Sequence, residues 1–517
     1  MKMNVNRALG ALGMALAIVW TAPADILVTV DPAETMGSIK IMNAVNNGPS
    51  KARADQSRGN FAAYKALRIP YARTHDSIDQ ASSNGHTVDI SAVFPNFDAD
   101  ETDPANYDFA YTDRFLENII AAGTEPFFRL GQTIENGIKK YHVFPPKDYA
   151  KWARICEHVI RHCNEGWCNG HKWNIKYWEI WNEPDAQTDE LRHTSSQWQG
   201  TRVQFFEFYK VAAQHLKKCF PHLKIGGPSL GWRKDWTEAF LAYQQKAGTE
   251  IDFFSWHDYE RRPDRVIGRK AHAFRELLDR YGYSKTESIM NEWNYIKDWT
   301  TDFPYAVRAM SKEKGGAYTA MMLSLCQDAP IDMLMYYDAR PGTVYNGLFD
   351  FYTYAPRPAY YALFSWADMR ELGTQVRSTV EFPDRAALLA KVKEESEREY
   401  PPLPYESSWI ITNELVTATA AKGTDGKLGV LVTRFSDDDN LTAEEKVTLR
   451  LGSGAFEGRV RAYVTDIHHL HSATHLFLEA DGSVTFNLLP NSFAFIEARV
   501  KPHDPSSGGG VPPAAAK

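Results

Sequence analysis

The chain has 517 residues, 44% hydrophobic and 24% charged, ordinary proportions for globular protein that set disordered and fibrous classes aside. A formal net charge of -7 and a pI near 6.2, with no block of Lys and Arg, exclude the basic footprint of a nucleic-acid binder or of an anionic membrane surface. The partner expected is small and uncharged, or another neutral surface, and an aromatic content of 13% with 14 Trp suits stacking on sugar rings as well as it suits a large core.

In chain order, Lys2 and Arg7 precede an apolar run from Ala8 to Trp20, and Ala22-Pro23-Ala24 supplies a small-residue cleavage site. These are the parts of an export signal over residues 1–24, so a secreted or periplasmic mature chain is expected. The run is too short to cross a bilayer, and no later apolar stretch approaches the roughly 18 to 20 residues that a membrane span requires. Residues 25–38 include ILVTV (26–30), which does not fit the pattern that follows and is a candidate extra strand of the C-terminal domain.

Residues 39–373 alternate short apolar runs with helical patterns, the signature of repeated βα units on a parallel sheet. Eight strands can be counted: KIMN (40–43), YARTH (71–75), EPFFRL (125–130), YWEIWNE (177–183), KIGGP (224–228), DFFSWH (252–257), SIMNEW (288–293) and MLMYY (333–337). Helical patterns such as 148–163, 205–219, 272–282 and 316–327 lie between them. Eight such units close into a (β/α)8 TIM barrel. Residues 374–502 change to period-two runs, AALLAKV, ELVTATAAK, LGVLVTRF, KVTLRL, RVRAYVTDI, SVTFNL and SFAFIEARV, which predict an all-β sandwich accessory domain. The low-complexity tail 503–517 is expected to be disordered.

A barrel carries its active site at the C-terminal ends of its strands, so polar residues that close an apolar strand are informative by position. The fourth strand ends on Asn182-Glu183 and the seventh on Asn291-Glu292-Trp293. Carboxylates on these two strands can face each other across the mouth, the arrangement of a glycosidase, in which one stays protonated for the leaving oxygen and the other attacks the anomeric carbon. Arg73 and His75 on the second strand and His257 on the sixth reach the same mouth. Trp181, Trp256 and Trp293 alternate with these polar residues, so some of them must point into the helix layer, and none is assigned as a sugar platform.

YWEIWNEPD (177–185) resembles the acid/base strand of the large barrel clan of retaining glycosidases, and SIMNEWNY (288–295) resembles the nucleophile strand of glycoside hydrolase family 39, the family of xylosidases and iduronidases. SWHDY (255–259) and GLFDFYTYAPRPAYYAL (347–363) resemble further segments of that family. The resemblance implies that Glu183 is the acid/base, Glu292 the nucleophile and Asn182 a partner of the sugar 2-hydroxyl. It also implies a retaining exo-glycosidase that needs no cofactor and no metal, with a carbohydrate as its partner. A β-xyloside is the first substrate expected, and arabinose-, galactose- or uronide-type glycans follow. The sequence departs from the family's xylosidases at Asp76, where they have Gly, and at MYYDAR (335–340), so Tyr336, Tyr337 and Asp338 are expected to line a different pocket.

Two readings of another class accompany this one. A barrel that binds carbohydrate without cleaving it would not need both carboxylates. Gly227-Pro228-Ser229-Leu230-Gly231 fits the nucleophile elbow of a serine esterase, but it is equally a rim turn of the fifth strand. The cysteines, Cys156, Cys163, Cys168, Cys219 and Cys326, are too few and too odd in number for a disulfide framework. Within HCNEGWCNGH (162–171) a local Cys163–Cys168 disulfide is the first expectation for an exported chain, free thiols come next, and metal ligation last. HHLHSATH (468–475) and SDDDN (436–440) are assigned to exposed loops.

Overall fold

The computed structural model describes residues 26–50, 59–77, 86–133, 142–186, 197–381 and 414–500, apart from 232, 342, 344, 346 and 453. The export signal, the AALLAKV segment and the C-terminal tail lie outside the described residues.

The chain opens on β1 (Ile26–Ser38) and then enters a closed parallel barrel. Its strands, in order, are β2 (Ile41–Asn46), β3 (Tyr71–Arg73), β4 (Glu125–Leu130), β5 (Tyr177–Ile180), β6 (Lys224–Leu230), β7 (Phe253–Tyr259), β8 (Glu287–Asn294) and β9 (Met333–Tyr336). All eight strands read from the sequence are present. Both faces of such strands are buried, which is why they read as continuous apolar runs. Side-chain alternation then sorts each run. Ala44, Phe127, Tyr177, Phe253, Ile289 and Met333 cluster inside the barrel. Their neighbours Val45, Phe128, Trp178, Phe254, Met290 and Leu334 join the helix-layer core.

The helices start where the sequence offers caps. The Asp148 side chain accepts from Lys151 N at the head of the helix Tyr149–Asn164. Thr201 and Gln204 form a reciprocal capping box on the helix Arg202–Cys219, satisfying N–H groups that have no partner within the helix. Two later helices, Glu313–Gln327 and Pro358–Leu372, are apolar over most of their surface because the second domain packs on the side that the barrel leaves open.

That domain comprises β10 (Thr374–Glu381), β11 (Glu414–Lys422), β12 (Lys427–Ser436), β13 (Glu445–Leu451), β14 (Phe456–Thr465), β15 (Ser472–Leu476), β16 (Val484–Leu488) and β17 (Ser492–Val500). With β1 they form one continuous nine-stranded order, β15-β14-β17-β12-β11-β10-β1-β13-β16. β1 pairs antiparallel with β10 and parallel with β13. The hydrogen bonding runs through one continuous order, and its two ends face each other across a shared core, as the expected sandwich requires. Val28, Val430, Leu449, Val460 and Ile496, from strands far apart in the order, share one apolar cluster.

The SDDDN segment is exposed at Asp438, Asp439 and Asn440 as expected, but its first aspartate docks on the barrel. Asp437 accepts hydrogen bonds from Tyr295 Oη (2.6 Å) and Arg261 Nη1 (3.2 Å), and Asp439 accepts one from Tyr305 Oη (2.9 Å). Because Arg261 and Tyr295 follow β7 and β8, the second domain braces the loops at the barrel mouth. The local disulfide is also absent. All five cysteines are free thiols. Cys163 points into the core, and Cys168 sits in a left-handed turn with its sulfur toward the Pro104 carbonyl.

Candidate active site

Two residues above the apolar floor of the barrel, the same alternation brings up polar side chains: Asn46, Arg73, Glu179, Ser255 and Asn291. All are fully buried. Burying charge is tolerable only when it is paired and hydrogen-bonded. Here Glu179 accepts from Arg73 Nε, Ser255 Oγ and Asn291 Nδ2, each at 2.6 Å. Arg73 spends its remaining donors on Asn46 Oδ1 (3.1 Å), Glu292 Oε1 (2.7 Å), Asn182 Oδ1 (2.6 Å) and Ser229 Oγ (2.8 Å). Arg73 therefore ties Asn182, just beyond β5, to Glu292 on β8 from below.

Strict alternation would send Glu292 outward with Met290. A bulge corrects this. His257 on β7 pairs with Glu292 although Trp256 pairs with Met290, so Asn291 is the extra residue and Glu292 turns into the mouth. On the opposite side, regular β5 ends at Ile180. Trp181 (φ 75) and Glu183 (φ 44) adopt left-handed backbone, and the Glu183 N–H donates to Ser229 O at 2.8 Å. Asp76 (φ 51) and Ser229 (φ 61) share that uncommon conformation, and strained positions of this kind gather at functional sites.

Both carboxylates meet at His257. Its Nδ1 lies 2.8 Å from Glu183 Oε1, and its Nε2 lies 3.4 Å from Glu292 Oε1. The oxygens of Glu183 and Glu292 that take part lie within 4.8 Å of each other. Burial, with help from Arg73 and Lys270 and against Glu292 and Glu179, lowers His257 to about 4, so the imidazole is neutral near neutral pH.

The surroundings of the two carboxylates differ. Glu292 is almost fully buried, and burial pushes its carboxyl up while His257, Arg73 and the Tyr259 hydroxyl, donating to Oε2 at 2.8 Å, pull the other way. Glu183 has its side chain 23% exposed and accepts from Gln197 Nε2 at 2.6 Å. One group is thus enclosed beside a fixed cation, and the other is open to solvent and to a leaving group.

The structure brings Asn182, Arg73, His75 and His257 around this pair. Asn182 Nδ2 and both ring nitrogens of His75 are buried without a hydrogen-bond partner among the described residues. His75 Nε2 lies 3.9 Å from Glu292 Oε1, and burial keeps its pKa well below the usual histidine range. Tyr337 is buried and donates from its hydroxyl to Asp76 Oδ2 at 3.0 Å, and Thr133 donates to the other oxygen of Asp76. Asp338 does not reach the mouth as expected. It is fully buried and bound to Arg340 through Nε (2.9 Å), Nη2 (2.7 Å) and the backbone N–H (2.8 Å). Tyr336 packs against Trp293 in the helix layer. Trp181, Trp256 and Trp293 are core residues: alternation sends Trp256 there, while the left-handed backbone at Trp181 and the bulge at Asn291 turn the other two out of the barrel.

Several contributors escaped the sequence reading. Tyr259 is two residues beyond His257 on one strand face, so period two could have found it. Trp299 is 52% exposed and packs edge-on against Tyr259 at 5.1 Å, an indole at the rim of the site. Gln197 carried no signal, because it lies outside any regular element. Ser229 does contact His257 Nε2 (2.6 Å), and His257 contacts Glu183, the connectivity of a hydrolase triad. Ser229 is however fully buried, and its oxygen already receives hydrogen bonds from Arg73 and Asn291 (3.0 Å). It supports the floor and has no face open to an ester.

A family model described as glycosyl hydrolases family 39 matches residues 26–281. A β-xylosidase of Geobacillus stearothermophilus is 27% identical over 241 residues, 43% of this chain and 46% of that protein. A β-xylosidase of Caldicellulosiruptor saccharolyticus is 29% identical over 181 residues, 33% of this chain and 34% of that protein. An α-1,4-L-rhamnosidase of Formosa agariphila is 26% identical over 161 residues, 30% of this chain and 31% of that protein. The chain thus spans about half or less of the length of the curated relatives it matches. Among solved structures, a glucosidase from Croceicoccus marinus superposes with a TM-score of 0.69 at 20% identity, covering 93% of this chain and 99% of the other. A family 39 β-xylosidase from Caulobacter crescentus gives 0.59 at 16% identity, covering 92% and 99%, and both likenesses are of fold. With this barrel and the match across its first strands, the chain belongs to glycosyl hydrolase family 39.

Proposed function

We propose that the protein is an exported retaining exo-glycosidase that releases terminal sugars, β-xylosides first, from plant-type oligo- or polysaccharides by double displacement. The observation that carries this reading is the approach of Glu183 and Glu292 oxygens to within 4.8 Å. Retaining enzymes hold their two carboxyl groups about 5 Å apart, whereas inverting ones leave room for water at roughly 6.5 to 9.5 Å.

In the first step Glu183 gives its proton to the glycosidic oxygen while a Glu292 oxygen attacks the anomeric carbon. The alcohol departs, and a glycosyl ester of Glu292 remains. In the second step the Glu183 carboxylate takes a proton from water, the resulting hydroxyl attacks the same carbon, and the ester bond breaks to return Glu292. Arg73 and Tyr259 hold Glu292 ionised and aimed between turnovers. Asn182 Nδ2 and His75 supply hydrogen-bonding groups to the sugar. Export is supported by the basic and apolar N-terminal segment, and the net charge of -7 argues against nucleic acid as a partner.

The sugar is the finer question, since the named relatives include xylosidases and a rhamnosidase. A panel of aryl glycosides and plant oligosaccharides, with products followed by NMR, reports the sugar and the anomeric outcome together. The expected result is turnover of a pentoside with the first-formed product of retained configuration. Inverted product, or full activity in Glu292→Ala, would overturn the mechanism, and the latter with retained binding would favour a barrel that only binds carbohydrate.

A further inference from the structure

The HCNEGWCNGH segment takes no part in the catalytic site, yet it assembles a compact set of donors. His162 closes the helix Tyr149–Asn164, and the connection toward β5 folds back so that the His171 N–H donates to His162 O at 2.6 Å. The fold-back needs left-handed backbone at Gly166, Cys168 and Asn169. It also needs a glycine at 170, where a Cβ would fall 2.2 Å from His162 O. Asp113, from the first turn of the helix Ala110–Ala121, reaches both rings. Its Oδ1 lies 2.8 Å from His162 Nε2 and its Oδ2 lies 3.3 Å from His171 Nε2.

Three details go beyond an ordinary histidine–carboxylate contact. The Nδ1 of His162 donates to Trp167 O at 3.0 Å, which leaves Nε2, 2.8 Å from Asp113 Oδ1, as the nitrogen that faces the cluster and binds an ion once its own proton is displaced. Metal-binding histidines are usually oriented by this kind of bond. Both rings are clamped by stacking, His162 on Phe109 at 3.5 Å and His171 on Trp173 at 3.7 Å. His171 Nε2 is buried and has no hydrogen-bond partner among the described residues. The donor atoms lie within 4.8 Å of one another, and a tetrahedral ion with bonds of about 2.0 to 2.1 Å requires ligand atoms roughly 3.3 Å apart. Asp113 and His171 keep about a quarter of their side chains exposed, so the cluster opens to solvent.

We propose that Asp113, His162 and His171 form a zinc site that clasps the connection into β5 against the neighbouring helix. Two imidazoles and one carboxylate are a donor set suited to zinc, with a water completing the shell. The connection leads to the N-terminal end of β5, opposite the end that presents Glu183, so the ion stabilises the barrel and takes no part in hydrolysis. A second grouping, Glu157, His215 and Cys219, is a weaker candidate because Glu157 also accepts from Arg161 Nε at 2.9 Å.

The test uses the full chain, stripped with chelator, and zinc chloride as the probe. Calorimetric titration of the wild type gives a zinc affinity that His171→Asn weakens at least about 100-fold and His215→Asn leaves unchanged. Saturating zinc raises the wild-type melting temperature by a few degrees and leaves that of His171→Asn where it is. Asp113→Asn repeats the loss at a second, partly exposed position, and glycosidase activity of both variants stays at the wild-type level. Zinc binding that survives in His171→Asn and Asp113→Asn, or a wild type whose melting temperature ignores zinc, would overturn the site and reduce the cluster to a carboxylate shared by two histidines.

Discussion

Replacing Tyr259 by Phe removes one hydroxyl and nothing else from the wall of the site. The ring keeps its edge contact with Trp299 at 5.1 Å and its position 6.3 Å from Tyr337. What is lost is the 2.8 Å hydrogen bond to Glu292 Oε2, one of the influences that oppose the upward push of burial on that carboxyl. A donor to a carboxylate favours the ionised form, so its removal raises the pH at which Glu292 gains a proton. Glu292 must be ionised to attack, and the acidic limb of kcat/KM therefore moves to higher pH. A hydrogen bond to a charged group contributes about 1.5 to 3 kcal/mol, and at 1.36 kcal/mol per tenfold change the loss on the acidic side is roughly 10- to 100-fold. Above the limb the loss is smaller, because Arg73 at 2.7 Å still holds Oε1. The assay is kcat/KM against pH on the best aryl glycoside of the panel. An acidic limb that stays in place, moves down in pH, or gives way to a uniform loss at every pH would refute this account of Tyr259.

Glu183→Ala should reduce turnover of substrates with poor leaving groups about 10²- to 10⁴-fold, with less loss on activated aryl glycosides, because only the former need the proton; equal losses on both would remove Glu183 from the acid role. Arg73→Met leaves Glu179 buried without its cation and should cost about 3 to 5 kcal/mol in urea unfolding, and an unchanged midpoint would show that Glu179 is satisfied by Ser255 and Asn291 alone. Trp299→Ala is expected to raise KM for disaccharides several-fold more than for aryl glycosides of the same sugar, if its indole carries the residue beyond the scissile bond. His471 stacks between Tyr361 and Tyr463 at the junction of the two domains, and burial lowers it from 6.5 to about 4. Its neutral form thus contributes stability that is present above pH 6.5 and lost as pH falls toward 4, so the melting temperature of His471→Phe should decline less steeply over that interval.

The barrel was legible because its strands are buried on both faces and its helices carry period and caps, signals that do not depend on distant contacts. YWEIWNE, EPFFRL and SIMNEW announced strands by composition alone. Glu183 and Glu292 were legible for a different reason, as polar residues that interrupt such runs. Their geometry was not. The bulge at Asn291 and the left-handed backbone at Glu183 are departures from regular strand geometry, and strict alternation would have pointed Glu292 into the helix layer. The docking of SDDDN on Tyr295 and Arg261 was invisible for a related reason: an acidic run reads as solvated until its partners, far away in sequence, are brought beside it. The strand order of the second domain was likewise hidden, since strand alternation fixes which face is apolar and leaves the order of pairing open.

The same reasoning bears on the sugar. The sequence resemblance sets Asp76 where xylosidases of the family carry Gly, and its φ of 51 is one that glycine adopts freely, so glycine fits this position without strain. The Asp76 carboxylate is consumed within the wall. Thr133 and Tyr337 donate to its two oxygens, and Arg340 donates to its carbonyl while pairing with Asp338. The strand-eight segment MYYDAR and Asp76 therefore form one unit that ties β9 to the turn after β3, with Tyr337 at its centre. Asp76→Gly should break that unit at one position without straining the backbone, freeing the Tyr337 hydroxyl. The expected outcome is a changed ranking of sugars in the aryl glycoside panel, with kcat/KM for the preferred sugar falling more than that for its competitors. An unchanged ranking would mean that the Asp76–Tyr337 pair does not set the sugar specificity.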